Sequence, residues 1–188
     1  MGTVKSLLLG MCFVLGACTS QTSTVQTTEK GTQWEWQNGT IVVKTPERPA
    51  GQKSVLGLTT PKLEAVRVGF VGLGMRGPGA VERFTYIPGT QVVALCDYEE
   101  ARADKCQELL KKASMPKAAV YSGDKGYEEL CKRDDIDLVY IAADWLHHFP
   151  VAKCALENGK NVAIEVPSAM NLQECWDLIN LSESTRKP

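Results

Sequence analysis

The sequence predicts an α/β fold, a doubly wound parallel sheet formed by residues 66–188. Over this range short apolar runs rich in Val, Ile and Leu alternate with longer amphipathic segments. Strands that are apolar on both faces and joined by helices are typical of a parallel sheet covered on each side. A second observation is the glycine pattern Gly72-x-Gly74-x-x-Gly77, which directly follows the first of these strands.

The individual elements follow from hydrophobic periodicity and from the residues that interrupt it. The predicted strands are 66–71, 91–96, 119–121, 138–142 and 162–165. The predicted helices are 79–84, 99–113, 126–132, 150–157 and 172–183. Pro88-Gly89 and Asn158-Gly159 each end a helix shortly before the next strand, as glycine does at helix C-termini.

Residues 1–18 have the parts of a bacterial lipoprotein signal peptide. Lys5 supplies the positive charge, an apolar run follows, and Leu15-Gly16-Ala17-Cys18 is a small-residue cleavage site that ends on cysteine. We expect Cys18 to be lipidated and the protein to be exported and anchored to a bacterial membrane by acyl chains alone, because the apolar run is too short to span a bilayer. Thr19 is not acidic, which favours the outer membrane. An ordinary secretory signal peptide is the alternative.

Residues 19–65 are rich in Thr, Gln, Ser, Lys and Pro, and this composition predicts a flexible tether between the anchor and the folded domain. Within the tether, polar and apolar residues alternate on both sides of Asn38-Gly39. That pattern predicts one β-hairpin over residues 34–43.

Composition excludes several kinds of function. The formal net charge is −1 and no face is dense in Lys and Arg, so nucleic-acid binding has no electrostatic support. The cysteines after residue 18 form no Cys-x-x-Cys pair, and we therefore expect neither a disulfide framework nor a metal site. They are interpreted as small buried hydrophobic residues: Cys96, Cys106, Cys131, Cys154 and Cys175.

The glycine pattern and Asp97 together predict a Rossmann-type dinucleotide site. Gly72 permits a sharp turn, Gly74 lets a diphosphate approach the backbone, and Gly77 lets the next helix pack closely. Amides at the start of that helix attract the diphosphate charge. Asp97 ends the second strand, where a carboxylate accepts hydrogen bonds from the adenosine ribose and repels a 2′-phosphate, so NAD is expected rather than NADP. A structural glycine turn is the alternative, and Arg76 either contacts a phosphate or lies in solvent.

Four segments, beginning at Val68, Ala94, Asp137 and Cys175, carry a family resemblance. They are VGFVGLGMRG, ALCDYEEARADKCQ, DLVYIAADWLHHFPVAKCALENGKNVAIEVPSA and CWDLINLSE. They resemble the nucleotide-binding half of the Gfo/Idh/MocA oxidoreductases, and more closely glycoside hydrolase family 109, the NAD-dependent α-N-acetylgalactosaminidases. The resemblance covers residues 66–184, with the motifs in the order of the family.

The resemblance implies further NAD contacts near the carboxyl ends of the strands. Those residues are Met75, Arg76, Asp97, Trp145, Leu146, His147, His148, Glu165 and Val166. Taken without the resemblance, Trp145 is equally well a core aromatic residue, His148 a helix-capping residue and Glu165 a surface charge.

The resemblance also implies an enzyme that hydrolyses α-linked N-acetylgalactosamine with retention of configuration. The implied route is transient oxidation at C3 of the sugar, elimination, water addition and re-reduction, so that NAD is not consumed. Sugar dehydrogenases of the superfamily have Glu-Lys-Pro after the fifth strand. Here the residues are Glu165-Val166-Pro167, and because valine carries no proton the glycosidase is favoured over a plain alcohol dehydrogenase.

Members of the family continue into a C-terminal substrate domain with Tyr and His acid–base groups, which is absent from this chain. We therefore expect the catalytic residues to lie beyond Pro188. The 188-residue chain alone should bind NAD weakly or not at all and should lack glycosidase activity. The alternatives are an NAD-dependent sugar oxidoreductase that accumulates NADH and a noncatalytic nucleotide-binding fragment. The sequence leaves open which glycan is the substrate and whether the protein is a homo-oligomer.

Overall fold

The computed structural model describes residues 26–27 and 33–188, so the predicted signal peptide and Cys18 lie outside the described residues. A small antiparallel sheet comes first, formed by β1 (Gln26–Thr27), β2 (Gln33–Gln37) and β3 (Thr40–Val43). Asn38 and Gly39 both have positive φ, 48° and 78°, as the turn between β2 and β3 requires. The predicted hairpin is confirmed. Within the described part of the chain, no helix is both long and apolar enough to cross a membrane.

A five-stranded parallel sheet forms the main body. Its strands are β4 (Val66–Val71), β5 (Thr90–Asp97), β6 (Ala119–Ser122), β7 (Leu138–Ile141) and β8 (Asn161–Ile164). The helices are α1 (Gly77–Thr85), α2 (Glu100–Lys112), α3 (Gly126–Cys131), α4 (Trp145–Glu157) and α5 (Leu172–Thr185). The strand order β6-β5-β4-β7-β8 is that of a Rossmann-type doubly wound sheet, as predicted.

Each face of the sheet buries its own hydrophobic cluster. On one face, side chains of β4 and β5 pack against α1 and α2, and the cluster includes Val68, Phe70, Val81, Leu95 and Leu110. On the other face, side chains of β7 pack against α3 and α4 among Leu130, Val139, Ile141, Val151 and Ala155. Alternate residues of a strand point to opposite faces. The apolar residues of β4, β5 and β7 therefore supply side chains to the hydrophobic clusters on both faces of the sheet.

Helix α4 begins earlier than the sequence predicts. Pro150 was expected at its start, but the helix begins at Trp145 and contains Pro150 in its interior. Asp144 caps this start by accepting a hydrogen bond from the Leu146 amide at 3.0 Å. The prediction was wrong because proline is common at the first helical position, whereas here the helix starts five residues earlier, directly after its cap Asp144.

Part of the predicted tether packs against α5. The Arg48 guanidinium donates to both carboxylate oxygens of Glu183, at 2.8 and 3.0 Å, and Gln52 donates to the same carboxylate at 2.9 Å. These hydrogen bonds, that from Arg48 first, hold the pKa of Glu183 below its ordinary value. The stretch around Arg48 and Gln52 is therefore joined to the folded domain.

An ion pair joins the amino-terminal ends of β4 and β7. Arg67 donates to the carboxylate of Asp137 from Nε at 2.9 Å, from Nη2 at 2.7 Å and from its backbone amide at 2.9 Å. The bonds from the Arg67 side chain are the largest cause that lowers the pKa of Asp137 below its ordinary 3.8. The pair therefore stabilises the fold only while Asp137 is ionised.

We expect the Asp137→Asn variant to be less stable than the wild type at neutral pH, with a difference that shrinks in acid. A carboxyl group with a lowered folded-state pKa contributes stability above its unfolded pKa, and this contribution is lost as the pH falls through the folded pKa. Urea midpoints measured from pH about 7 to about 2 test this, because the contribution is lost below the ordinary pKa of the carboxyl group. The exposed Asp134 of the same loop is the control, since Asp134→Asn removes a charge without a comparable pair. A loss of stability in Asp137→Asn that is equally large at every pH would contradict the expectation.

Candidate functional site

A large cleft lies at the carboxyl-terminal edge of the parallel sheet. It has a volume of about 930 Å³, and its walls come from the loops after β4, β5, β6, β7 and β8. β4 and β7 are neighbours in the sheet. From β4 the chain continues to β5 on one side, and from β7 it continues to β8 on the other side. Ligands of open parallel sheets bind at this switch point.

The turn after β4 is possible only with glycine at two positions. Gly72 has φ +88°, and a Cβ built on it would lie 2.2 Å from the Ala143 backbone nitrogen. A Cβ on Gly77 would lie 2.1 Å from the carbonyl oxygen of Gly72. Gly74 faces the cleft, where its ideal Cβ meets only the Arg102 guanidinium, at 3.4 Å. The roles predicted for Gly72 and Gly77 thus have a direct steric cause, while Gly74 leaves the backbone open to a ligand.

Helix α1 begins in the wall of the cleft, and the anion-binding position at its start is not taken by a capping side chain of the described residues. Among the described residues no side chain caps this start, and the first turn of α1 holds no acidic residue. The partial positive charge of a helix N-terminus attracts phosphate groups. Met75 and Arg76 precede the helix and are exposed at the rim, so the guanidinium of Arg76 is free to approach a phosphate.

Asp97 holds the glycine turn in place. It is 5% exposed, and its carboxylate accepts from the Leu73 amide at 2.6 Å, the Glu99 amide at 3.0 Å and Arg102 Nη1 at 3.5 Å. An ionised carboxylate has about four acceptor positions, so after these three donors one remains for a ribose hydroxyl. Ribose binding by Asp97 stays a prediction, and the structure adds that the same carboxylate fixes the Leu73 backbone.

The sequence patterns do not mark several residues that line the cleft. Arg102 lies in the first turn of α2, five residues after Asp97, and bonds to both Asp97 and Glu99. Asp124 and Tyr127 line the cleft from the loop after β6. The rule that ligands gather at the carboxyl ends of parallel strands would have pointed to this loop. No comparable sequence signal marks Arg102.

The start of α4 forms another wall. Trp145 and Leu146 are 59% and 73% exposed at the cleft, so Trp145 is not a core aromatic residue. His147 Nδ1 lies 2.6 Å from Asp144 Oδ2. Burial raises the pKa of Asp144, but the bonds from His147 and from nearby amides outweigh it and keep that pKa below its ordinary value. His147 Nε2 also lies 3.9 Å from Asp124, which links this wall to the loop after β6.

His148 lies deeper than the other predicted contacts. It is 1% exposed, and both ring nitrogens are within hydrogen-bond distance of backbone carbonyl oxygens. The structure therefore does not present its nitrogens to a ligand in the cleft. His148 still lines the cleft, and its contact with NAD stays a prediction. The alternative of a helix-capping residue is wrong, because Asp144 is the cap.

The turn after β8 completes the site. Tyr140 donates its hydroxyl to Glu165 Oε1 at 2.7 Å, and burial, followed by this bond to Glu165, raises the pKa of Tyr140. Glu165 is therefore held from β7 and is not a free surface charge. Val166 is 83% exposed at the cleft. The thiol of Cys96 also lines the cleft, and burial raises its pKa to about 12, so it stays protonated.

The residues of the cleft fit a dinucleotide. The turn from Gly72 to Gly77 brings bare backbone and a helix start to one place, which suits a diphosphate. Asp97 lies at the end of the neighbouring strand with one acceptor position to spare, which suits a ribose. Exposed apolar side chains at Met75, Leu146 and Val166 offer surface for flat rings.

Comparison with known proteins agrees with this fit. The family model described as "Oxidoreductase family, NAD-binding Rossmann fold", named GFO_IDH_MocA, matches residues 66–188. The chain is 79% identical over 188 residues to "Glycosyl hydrolase family 109 protein 4" of Phocaeicola vulgatus. It is 57% identical over 185 residues to "Glycosyl hydrolase family 109 protein 1" of Bacteroides thetaiotaomicron. All of this chain matches the first relative and 98% matches the second, but the chain spans only 36% and 38% of their lengths.

Solved structures share the fold. Myo-inositol dehydrogenase from Lactobacillus casei, in complex with NAD(H) and myo-inositol, is similar with a TM-score of 0.56 and 25% identity, over 64% of this chain and 34% of that one. Biliverdin reductase from Synechocystis, in complex with biliverdin and NADP+, is similar with a TM-score of 0.55 and 28% identity, over 65% and 36%. The predicted fold, cofactor and family resemblance are confirmed.

Proposed function

The chain belongs to the Gfo/Idh/MocA family of oxidoreductases with an NAD-binding Rossmann fold, and from this premise we propose that it is the nucleotide-binding part of an NAD-dependent glycosidase. The proposed substrates carry α-linked N-acetylgalactosamine or a related sugar. Because the chain spans 36% of its relative's length, the acid–base groups that act on the sugar are proposed to lie in the remainder of such a protein.

The observation that carries the proposal is Val166 at the cleft. It is 83% exposed in the turn where sugar dehydrogenases of this type have a proton-transferring lysine. Valine transfers no proton, so this turn is unsuited to a simple alcohol dehydrogenase. The high identity to glycosyl hydrolase family 109 proteins over the whole chain supports the same choice.

Each part of the cleft has a proposed task. NAD, when bound, supplies reversible oxidation of a sugar hydroxyl. The backbone from Gly72 to Gly77 and the start of α1 hold its diphosphate, and Asp97 accepts from the ribose. Tyr140 fixes Glu165 at the far end of the cleft. The exposed apolar residues Leu146 and Val166 cover the cofactor and exclude water.

A sugar oxidoreductase is the second candidate. It is favoured by the similarity of the fold to that of a myo-inositol dehydrogenase bound to NAD(H) and its polyol. The two candidates differ in the fate of the cofactor, because a glycosidase of this type returns it to its starting state while a dehydrogenase accumulates NADH.

A chimera tests the choice. Residues 1–188 would replace the matching part of the Phocaeicola vulgatus relative, to which they are 79% identical. We expect the chimera to release N-acetylgalactosamine from a chromogenic α-glycoside without any rise in NADH absorbance. The 188-residue chain alone should release none, and a chimera that carries Gly74→Ala should lose most of the activity.

Two outcomes would contradict the proposal. NADH that accumulates with substrate would favour the oxidoreductase. Release of the sugar by a chimera that has been stripped of NAD and not resupplied would show that the cleft has another purpose.

A further inference from the structure

His148 sits between two loops of the cleft. Its Nδ1 lies 2.7 Å from the carbonyl oxygen of Pro167, and its Nε2 lies 2.9 Å from that of Ala143. Ala143 follows β7, and Pro167 follows β8, so the ring joins the loops at the carboxyl ends of two neighbouring strands. At 1% exposure the ring has essentially no contact with solvent.

The position of the ring ties the two loops together. Each ring nitrogen lies at hydrogen-bond distance from a backbone carbonyl oxygen, which can only accept, so a ring N–H donates to one of these loops whichever nitrogen carries it. A hydrogen bond in a site that water barely reaches is costly to break, because its partners would be left unsatisfied.

We propose that His148 is the positioning residue that fixes the turn of Glu165, Val166 and Pro167 to the end of β7. It acts on the cofactor site through this turn. The proposal rests on the proposed function only where it assigns the turn to the cofactor site. The bonds of His148 join residues of this chain and do not depend on that function.

Two ties hold that turn from different sides. Tyr140 holds the Glu165 side chain at 2.7 Å, and His148 holds the Pro167 carbonyl. The Glu165 amide, which donates to the Ile141 carbonyl at 2.9 Å, lies between them. Loss of His148 should therefore loosen Val166 and the Glu165 amide while the Tyr140 bond remains.

Nitrogen NMR on the 188-residue chain tests whether the ring is held between the two loops. The sequence contains two histidines, His147 and His148, so a sample labelled at histidine gives two ring spin systems. A His148→Phe variant assigns them by removing one. We expect a ring N–H of His148 to exchange slowly with solvent, because it donates to a buried carbonyl oxygen. A His148 ring whose N–H protons all exchange fast would overturn the proposal.

Amide hydrogen exchange tests the positioning. In His148→Leu we expect the Glu165 amide to exchange about tenfold faster or more, because its local opening becomes easier, while the Phe70 amide in the core of β4 stays as protected as in the wild type. His148→Gln and His148→Asn each restore one donor and should recover part of the protection. Lys153→Ala, at a half-exposed position of the same helix, is the control and should change neither amide.

Two exchange results would overturn the positioning role. One is unchanged Glu165 exchange in His148→Leu. The other is an equal loss of protection at Glu165 and Phe70, which would mean that the ring only contributes to global packing. Neither experiment uses a cofactor, so failure here is distinguishable from failure of the proposed function.

Discussion

Gly72→Ala is expected to lower the free energy of unfolding by about 3 kcal/mol or more, the sum of a strained φ and an overpacked contact. The new Cβ would lie 2.2 Å from a backbone nitrogen, and backbone atoms of the Ala143 region cannot move without breaking the sheet edge. Urea denaturation measures the loss. Gly159→Ala is the matched control, because Gly159 also has a positive φ, +73°, but a Cβ there meets no atom within 4 Å.

The control should lose about 1 kcal/mol, the cost of the left-handed backbone alone. If Gly72→Ala were no less stable than Gly159→Ala, the steric account of the turn would be wrong. Gly74→Ala separates ligand binding from folding, since its Cβ faces the cleft and its nearest neighbour is the flexible Arg102 side chain at 3.4 Å. We expect near-normal stability and a large loss of NAD affinity from that variant.

Asp97→Asn is expected to weaken NAD binding by about tenfold or more, because a charge-assisted bond to the ribose and the anchor of the glycine turn are impaired together. The amide group of Asn would turn a donor either toward the Leu73 amide or toward both the Glu99 amide and Arg102, all of which are donors. The same mismatch should lower the free energy of unfolding by about 1–3 kcal/mol.

Asp104→Asn is the control for the Asp97 variant, because Asp104 is exposed on α2 and its loss changes the net charge equally. Calorimetric titration with NAD and with NADP gives the second readout. Asp97→Asn should reduce the ratio of NAD affinity to NADP affinity, because the carboxylate that repels the 2′-phosphate of NADP is removed. An unchanged affinity for NAD in Asp97→Asn would contradict the role of this carboxylate.

The strands and the glycine turn could be predicted because their causes are local. β4 is a six-residue segment that is apolar except for Arg67, and a glycine with positive φ follows it directly. Asn38-Gly39, between two alternating segments, marks the hairpin. The start of α4 was misplaced because two local signals competed there, the proline at 150 and the aspartate at 144. Only the packed structure decides between such signals.

The missed features of the site depend on contacts that are distant in sequence. The Leu73 amide reaches a carboxylate 24 residues away, and His148 reaches a carbonyl 19 residues away. Arg48 reaches Glu183 across 135 residues, which a composition typical of a tether gives no reason to expect. Family resemblance marked His148 as functional, but its burial and its two partners became visible only in the fold.

Titration of the 188-residue chain with NAD⁺, followed by backbone amide NMR, tests the central claim most directly, because it detects weak binding and locates it. The sequence alone allows weak binding or none, but the loops that form the cleft all belong to this chain, so we predict weak, saturable binding. It should shift the amides of Gly72, Gly74, Gly77 and Asp97 and leave the signals of the β2–β3 hairpin unchanged. Absence of shifts at millimolar NAD⁺, or shifts confined to surfaces away from the cleft, would contradict the account.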